Sequence, residues 1–144
     1  MRCDILTIAD GAQVAGNKLY ILGGGWRFLR LPKVPARHQI AVAVGLLVDW
    51  EETNLKHRFK LELIAEDGSR TIFTGNGEFE QGRPAGTPPG TAQRLLLALT
   101  MNGELPVAGP YRVSLQVDGR ELASTSFEVL IDAREQAARR PAPD

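Results

Sequence analysis

The sequence predicts an all-β protein, two antiparallel sheets packed face to face with about eight strands between them. Apolar residues recur at every second position in one segment after another, and in an extended chain that period lines one face with apolar side chains and leaves the other wet. The segments are separated by Gly16-Asn17, Asp67-Gly68 and Asp118-Gly119, pairs that tolerate the positive φ of a tight hairpin turn. No stretch before residue 131 carries the i, i+3, i+4 stripe of an amphipathic helix, so strands joined by crossover helices are not expected.

Residues 3–14 and 18–28 flank Gly16-Asn17 and read as the first hairpin, with the strand continuing through Gly23-Gly24-Gly25 into Trp26. From Ile40 the even positions Val42, Val44, Leu46, Val48 and Trp50 form a bulky inner face. The opposite face, Ala41, Ala43 and Gly45 beside Leu47, suits water poorly and calls for a cover, either the loop of residues 80–91 or a second subunit. Phe59, Leu61 and Leu63 line the next strand. The strand of residues 70–79 carries Gly75 and Gly77, which marks it as bent, bulged or at an edge. Leu95, Leu97 and Leu99 share one face, with Leu96 and Ala98 on the other. Tyr111, Val113, Leu115 and Val117 then turn through Asp118-Gly119 into residues 122–130. The domain is read as residues 1–130, followed by a loose tail over residues 131–144 that ends in Pro141-Ala142-Pro143.

At 144 residues, with 43% apolar and 24% charged residues, the chain has the composition of a globular domain large enough to bury its own core. Seventeen basic and seventeen acidic residues cancel, so no whole-molecule field draws it to nucleic acid or an anionic membrane. Cys3 is the single cysteine, which excludes an intrachain disulfide and fits a reducing compartment, the cytoplasm. The apolar runs of residues 5–9 and 40–48 fall short of a secretory signal and of a membrane span, respectively.

The segment LPVAGPYRVSLQVDG, residues 105–119, resembles the closing hairpin of immunoglobulin-like sandwiches, and Tyr111 is similar in position to their corner tyrosine. LYILGGGW (residues 19–26), VDWEETNLKH (48–57) and EFEQGRPAGTPPGT (78–91) resemble a family of short uncharacterised bacterial proteins, a domain of unknown function. The resemblance implies an immunoglobulin-like β-sandwich over residues 1 to about 130 and no particular activity.

Four groups of residues are candidates for a site. Gly24 lies in a triple glycine, but no Gly-Lys-Ser/Thr follows to open a phosphate-binding helix, and a close backbone approach explains it better. Trp50, Glu51, Asn54 and His57, with Asp49 and Glu52, gather oxygens and an imidazole on a loop that faces residues 78–83 and Arg83; the set suits a small ligand or cation, or plain loop capping. Trp26, Arg27, Arg30 and Phe28, with Lys33 and Arg37, form the one local basic cluster, the kind of surface that holds phosphates and stacks bases. Gly119 and Tyr111 are structural. His38 and His57 are the only histidines, too few for a three-histidine zinc site, and no serine sits in a nucleophile elbow. No metal or cofactor is expected, and no catalytic set is visible. The expectation is a non-catalytic cytoplasmic domain that binds a protein partner or itself through a sheet face or edge. A ligand site on residues 49–57 is the first alternative, and an anionic polymer site on residues 27–37 the second.

Overall fold

The computed structural model describes residues 1–132, which form nine strands, a single 3-10 turn and no α-helix. In chain order these are β1 (Arg2–Ala15), β2 (Lys18–Gly24), β3 (Phe28–Leu31), β4 (Ala36–Val48), the turn Trp50–Glu52, β5 (Lys56–Ala65), β6 (Thr71–Glu80), β7 (Gln93–Leu105), β8 (Gly109–Val117) and β9 (Arg120–Ile131). One sheet has the order β2-β1-β4-β7 and the other β3-β9-β8-β5-β6. All neighbours are antiparallel except β3, which runs parallel to β9.

The period-two faces form the core. Ile40, Val42, Val44, Leu46 and Val48 of β4 are buried, as are Leu61 and Leu63 of β5 and Tyr111, Val113, Leu115 and Val117 of β8. Each such side chain contributes about 1.5–3 kcal/mol on burial. Phe127 and Val129 of β9 complete the packing, with the Tyr111 and Phe127 rings stacked at 5.5 Å.

The strand expected over residues 18–28 is two strands, which raises the count to nine. Gly23, an irregularity near the end of β2, and Gly25, just beyond it, take φ of 61° and 82°, outside the range of regular strands, and the chain changes sheets after them. Gly25 still donates to Ile8 O of β1 at 3.0 Å, whereas two residues later Arg27 O accepts from Glu128 N of β9 at 2.8 Å. Trp26 therefore lies in the crossing between layers and does not continue β2. Likewise β4 ends at Val48, because Asp49 opens the 3-10 turn that carries Trp50 away from the inner face.

The small-residue face of β4 is closed within the chain. Ala41 and Ala43 are 1% and 0% exposed. They pair with Ala9 and Thr7 of β1 and with Thr100 and Ala98 of β7, and the sheet curls around them until β2 on one margin touches β7 on the other. The cover is thus the β1–β2 hairpin, with Gln81 and Pro84 beside its tip at Val14 and Asn17. A tight curl needs small side chains inside: a Cβ on Gly24 would lie 2.6 Å from Ile21 Cγ2, and one on Gly45 would lie 2.9 Å from Ile5 Cδ1.

β9 closes the described fold at Ile131, and the tail expected beyond it lies outside the described residues apart from Asp132. Among the described residues no helix is long and apolar enough to cross a membrane.

Candidate functional site

The loop between β4 and β5 is a polar clamp. Thr53 Oγ1 donates to Trp50 O at 2.6 Å and accepts from Arg83 Nε at 2.6 Å, while the second arm of Arg83 donates to Trp50 O at 2.8 Å. The Arg83 guanidinium lies 3.8 Å from the centre of the Trp50 ring, a cation–π contact. Asn54, at φ 60°, donates its backbone N–H to Gln81 O at 2.8 Å. Trp50, Asn54 and Arg83 therefore meet, but they answer one another and hold the loops of residues 49–55 and 81–83 together. Glu51 is exposed.

His57, the second residue of β5, lies next to this loop and is 5% exposed. Its Nδ1 lies 2.7 Å from Asp118 Oδ2 and its Nε2 lies 2.7 Å from Glu52 O. Asp118 also accepts from Arg58 N at 3.0 Å and occupies the β8–β9 turn, at φ 52° beside Gly119 at φ 81°. Burial pulls the His57 pKa down, but Asp118 and the Glu52 carbonyl outweigh it and hold the ring above the ordinary histidine value. Nearby, the Met1 amine sits 2.7 Å from Asp49 Oδ2 and 2.6 Å from Glu52 Oε1. Among the described residues no three histidine, cysteine or acidic side chains converge as a metal site would require. His38, on β4 opposite Gly103, belongs to the other sheet. Burial pushes the half-buried Cys3 thiol upward, and its Sγ donates to Ile5 O at 3.1 Å.

The basic cluster is dispersed. Arg27 just before β3 and Arg30 within it are exposed, Lys33 lies in the following loop, and Arg37 on β4 stands opposite Glu104 of β7. Arg27 shares its hollow with Glu66 and Glu128, which offset its charge. Phe28 is exposed, but Trp26 packs edge-on against Phe127 at 5.6 Å and belongs to the core margin. Tyr111 donates its hydroxyl to Val107 O at 2.6 Å and ties the β7–β8 loop to the sheet.

The most conspicuous surface is one that motif reading passed over. Along the β1–β2 hairpin, Leu22 is 76% exposed, Tyr20 56%, Ile21 42% and Val14 38%. Tyr20, Ile21 and Leu22 line a shallow apolar hollow with Gly11, Ala12 and Gln13, on the outermost strand of the curled sheet. The signal in the sequence was the unbroken run Leu19-Tyr20-Ile21-Leu22. A strand with one wet face alternates; this one does not.

Residues 4–130 match a family of unknown function, DUF6941. The chain belongs to that family. The matched span runs from within β1 to nearly the end of β9 and so takes in both sheets of this DUF6941 domain. No curated protein matches it. Among solved structures it is similar to part of the Pseudomonas fluorescens alkylpurine DNA glycosylase AlkC bound to DNA containing an abasic site analog. That likeness has a TM-score of 0.42 at 12% identity and covers 72% of this chain and 27% of the glycosylase chain.

Proposed function

We propose that this domain is a non-catalytic protein-interaction module, an immunoglobulin-like sandwich that docks its partner along the exposed edge of β2. The observation that carries the proposal is the contiguous exposure of Tyr20, Ile21 and Leu22 on an outermost strand. Apolar residues exposed singly are ordinary, whereas a group on a strand with free backbone groups is a template for pairing. The immunoglobulin-like assignment is supported by β3 lying parallel to β9 at the edge of the second sheet, and by the Tyr111 hydroxyl reaching back to Val107. A non-catalytic role is supported by His57, the residue an acid–base mechanism would recruit, having both ring nitrogens engaged. The single free thiol, Cys3, supports a reducing compartment.

The test is a photo-crosslinking amino acid placed at Leu22 in the intact chain and irradiated in cells, with the same substitution at exposed Glu51 as the reference position. The expected result is a discrete protein adduct at position 22 and none at 51. The proposal is overturned if neither position gives an adduct.

A further inference from the structure

Resting on the edge-docking proposal, we infer that the occupant of β2 is a second copy of this chain, paired antiparallel about a two-fold axis through Ile21. The turn decides which backbone groups are available. Gly16 and Asn17, at φ 56° and 59°, make a two-residue turn between the paired residues Ala15 and Lys18. In such a hairpin the flanking pair exchanges hydrogen bonds and the pattern then alternates. The amides and carbonyls of Lys18, Tyr20 and Leu22 therefore point inward to β1, and those of Leu19 and Ile21 point to the free edge; the alternation ends at Gly23, at φ 61°.

Although β2 meets β7 where the sheet curls, its residues Tyr20, Ile21 and Leu22 stay exposed, and the other three sheet margins carry protection that this stretch lacks. β3 has four residues and is followed by Pro32 and Pro35. β6 and β7 lie against each other across the two sheets. β2 is seven residues long, contains no proline, and carries one charge, Lys18 at its start. Short strands, prolines and charges are the usual protection of an edge, and their absence here fits a strand that is normally covered.

The strand is complementary to itself. With Ile21 opposite Ile21 of the second copy, the two residues exchange N–H···O bonds in both directions. Tyr20 then faces Leu22, which sets the most exposed aromatic ring of the strand against its most exposed aliphatic side chain. Such cross-strand pairs stabilise a sheet directly. Lys18 faces Gly24, so no like charges meet; a parallel, in-register arrangement would set Lys18 beside Lys18. The zero net charge removes long-range repulsion between copies.

Native mass spectrometry and light scattering of the purified chain are expected to show a species at twice the 15.7 kDa chain mass. Ile21→Pro removes an outward N–H while sparing the bonds to β1, and is expected to give a folded monomer with an unchanged far-ultraviolet spectrum. Leu22→Lys is expected to weaken the dimer at least about tenfold, the cost of roughly 1.4 kcal/mol. Register is read by cysteines in a Cys3→Ser background: Tyr20→Cys mixed with Leu22→Cys gives a disulfide-linked dimer, and neither gives one alone. A monomer at about 100 µM, where even a weak complex forms, overturns the inference, as does a dimer that survives both Ile21→Pro and Leu22→Lys. An in-cell adduct at Leu22 with a different protein, alongside a monomeric purified chain, would end the second-copy inference and leave edge docking standing.

Discussion

His57 faces two acceptors, the Asp118 carboxylate and the Glu52 carbonyl, each at 2.7 Å. A neutral imidazole has one N–H and can satisfy one of them; both are satisfied when the ring is an imidazolium. The raised His57 pKa and the lowered Asp118 pKa point the same way. A histidine raised on folding stabilises below its unfolded value, and that contribution is lost as pH rises through the raised value. An aspartate lowered on folding stabilises above its unfolded value and is lost as pH falls through the lowered one. The clamp is therefore complete between about pH 4 and about pH 6.5. Denaturant midpoints are expected to fall between pH 6 and pH 8.5. His57→Gln is expected to lower the midpoint at pH 6 and to flatten that part of the slope. The Met1 amine, also raised, titrates in the same direction and accounts for slope that persists in His57→Gln. Tyr111→Phe removes the hydroxyl that bonds the Val107 carbonyl and is expected to cost about 0.5–1.5 kcal/mol, read as a shifted midpoint with an unchanged denaturant slope.

At the scale of elements, β6 is tied to β5 by a side chain that its glycine makes room for. The Phe59 ring lies where a Cβ on Gly77 would go, so Gly77→Val is expected to destabilise by about 1–3 kcal/mol through overpacking, measured by thermal melting. β5, β8 and β9 were legible because one buried and one wetter face impose alternation on the residues themselves, and β4, buried on both faces, because bulky and small side chains alternate along it. The break at residues 25–27 was not, because a strand's choice of sheet is set by distant partners: Ile8 on one side of Gly25, Glu128 beside Arg27. The even-position pattern ran on to Trp50 although Asp49 had already turned the chain. In the candidate site, the polar loop and Arg83 could be named from their types. Asp118 as the partner of His57 could not, since the pairing of β5 with β8, across 61 residues of sequence, brings them together. The β2 edge hid for a related reason. Exposed and buried apolar runs look alike until the neighbours are known.

For the molecule as a whole, balanced charge makes association a matter of shape and backbone. The dimer constant is expected to change less than about threefold between 0.05 and 0.5 M salt, where an electrostatically driven complex would weaken steeply; light scattering at the two ionic strengths checks this. The two sheets close through contacts between strands distant in sequence, such as β1 with β4 and β3 with β9, so folding is expected in milliseconds to seconds. β1 has a particular place in this architecture. Its first half is bonded to β4 and its second half to β2, and Ala9 alone is paired on both sides. Along the strand ladder the hairpin is thus joined to the body at a single residue, while its tip rests beside Pro84 and the start of β7. A pull on its tip along the strand direction loads the Arg2–Ala9 ladder in shear, with its bonds bearing tension together, whereas a sideways pull would peel them one after another. Tethered at β2, the domain would resist stretching along that axis far better than across it.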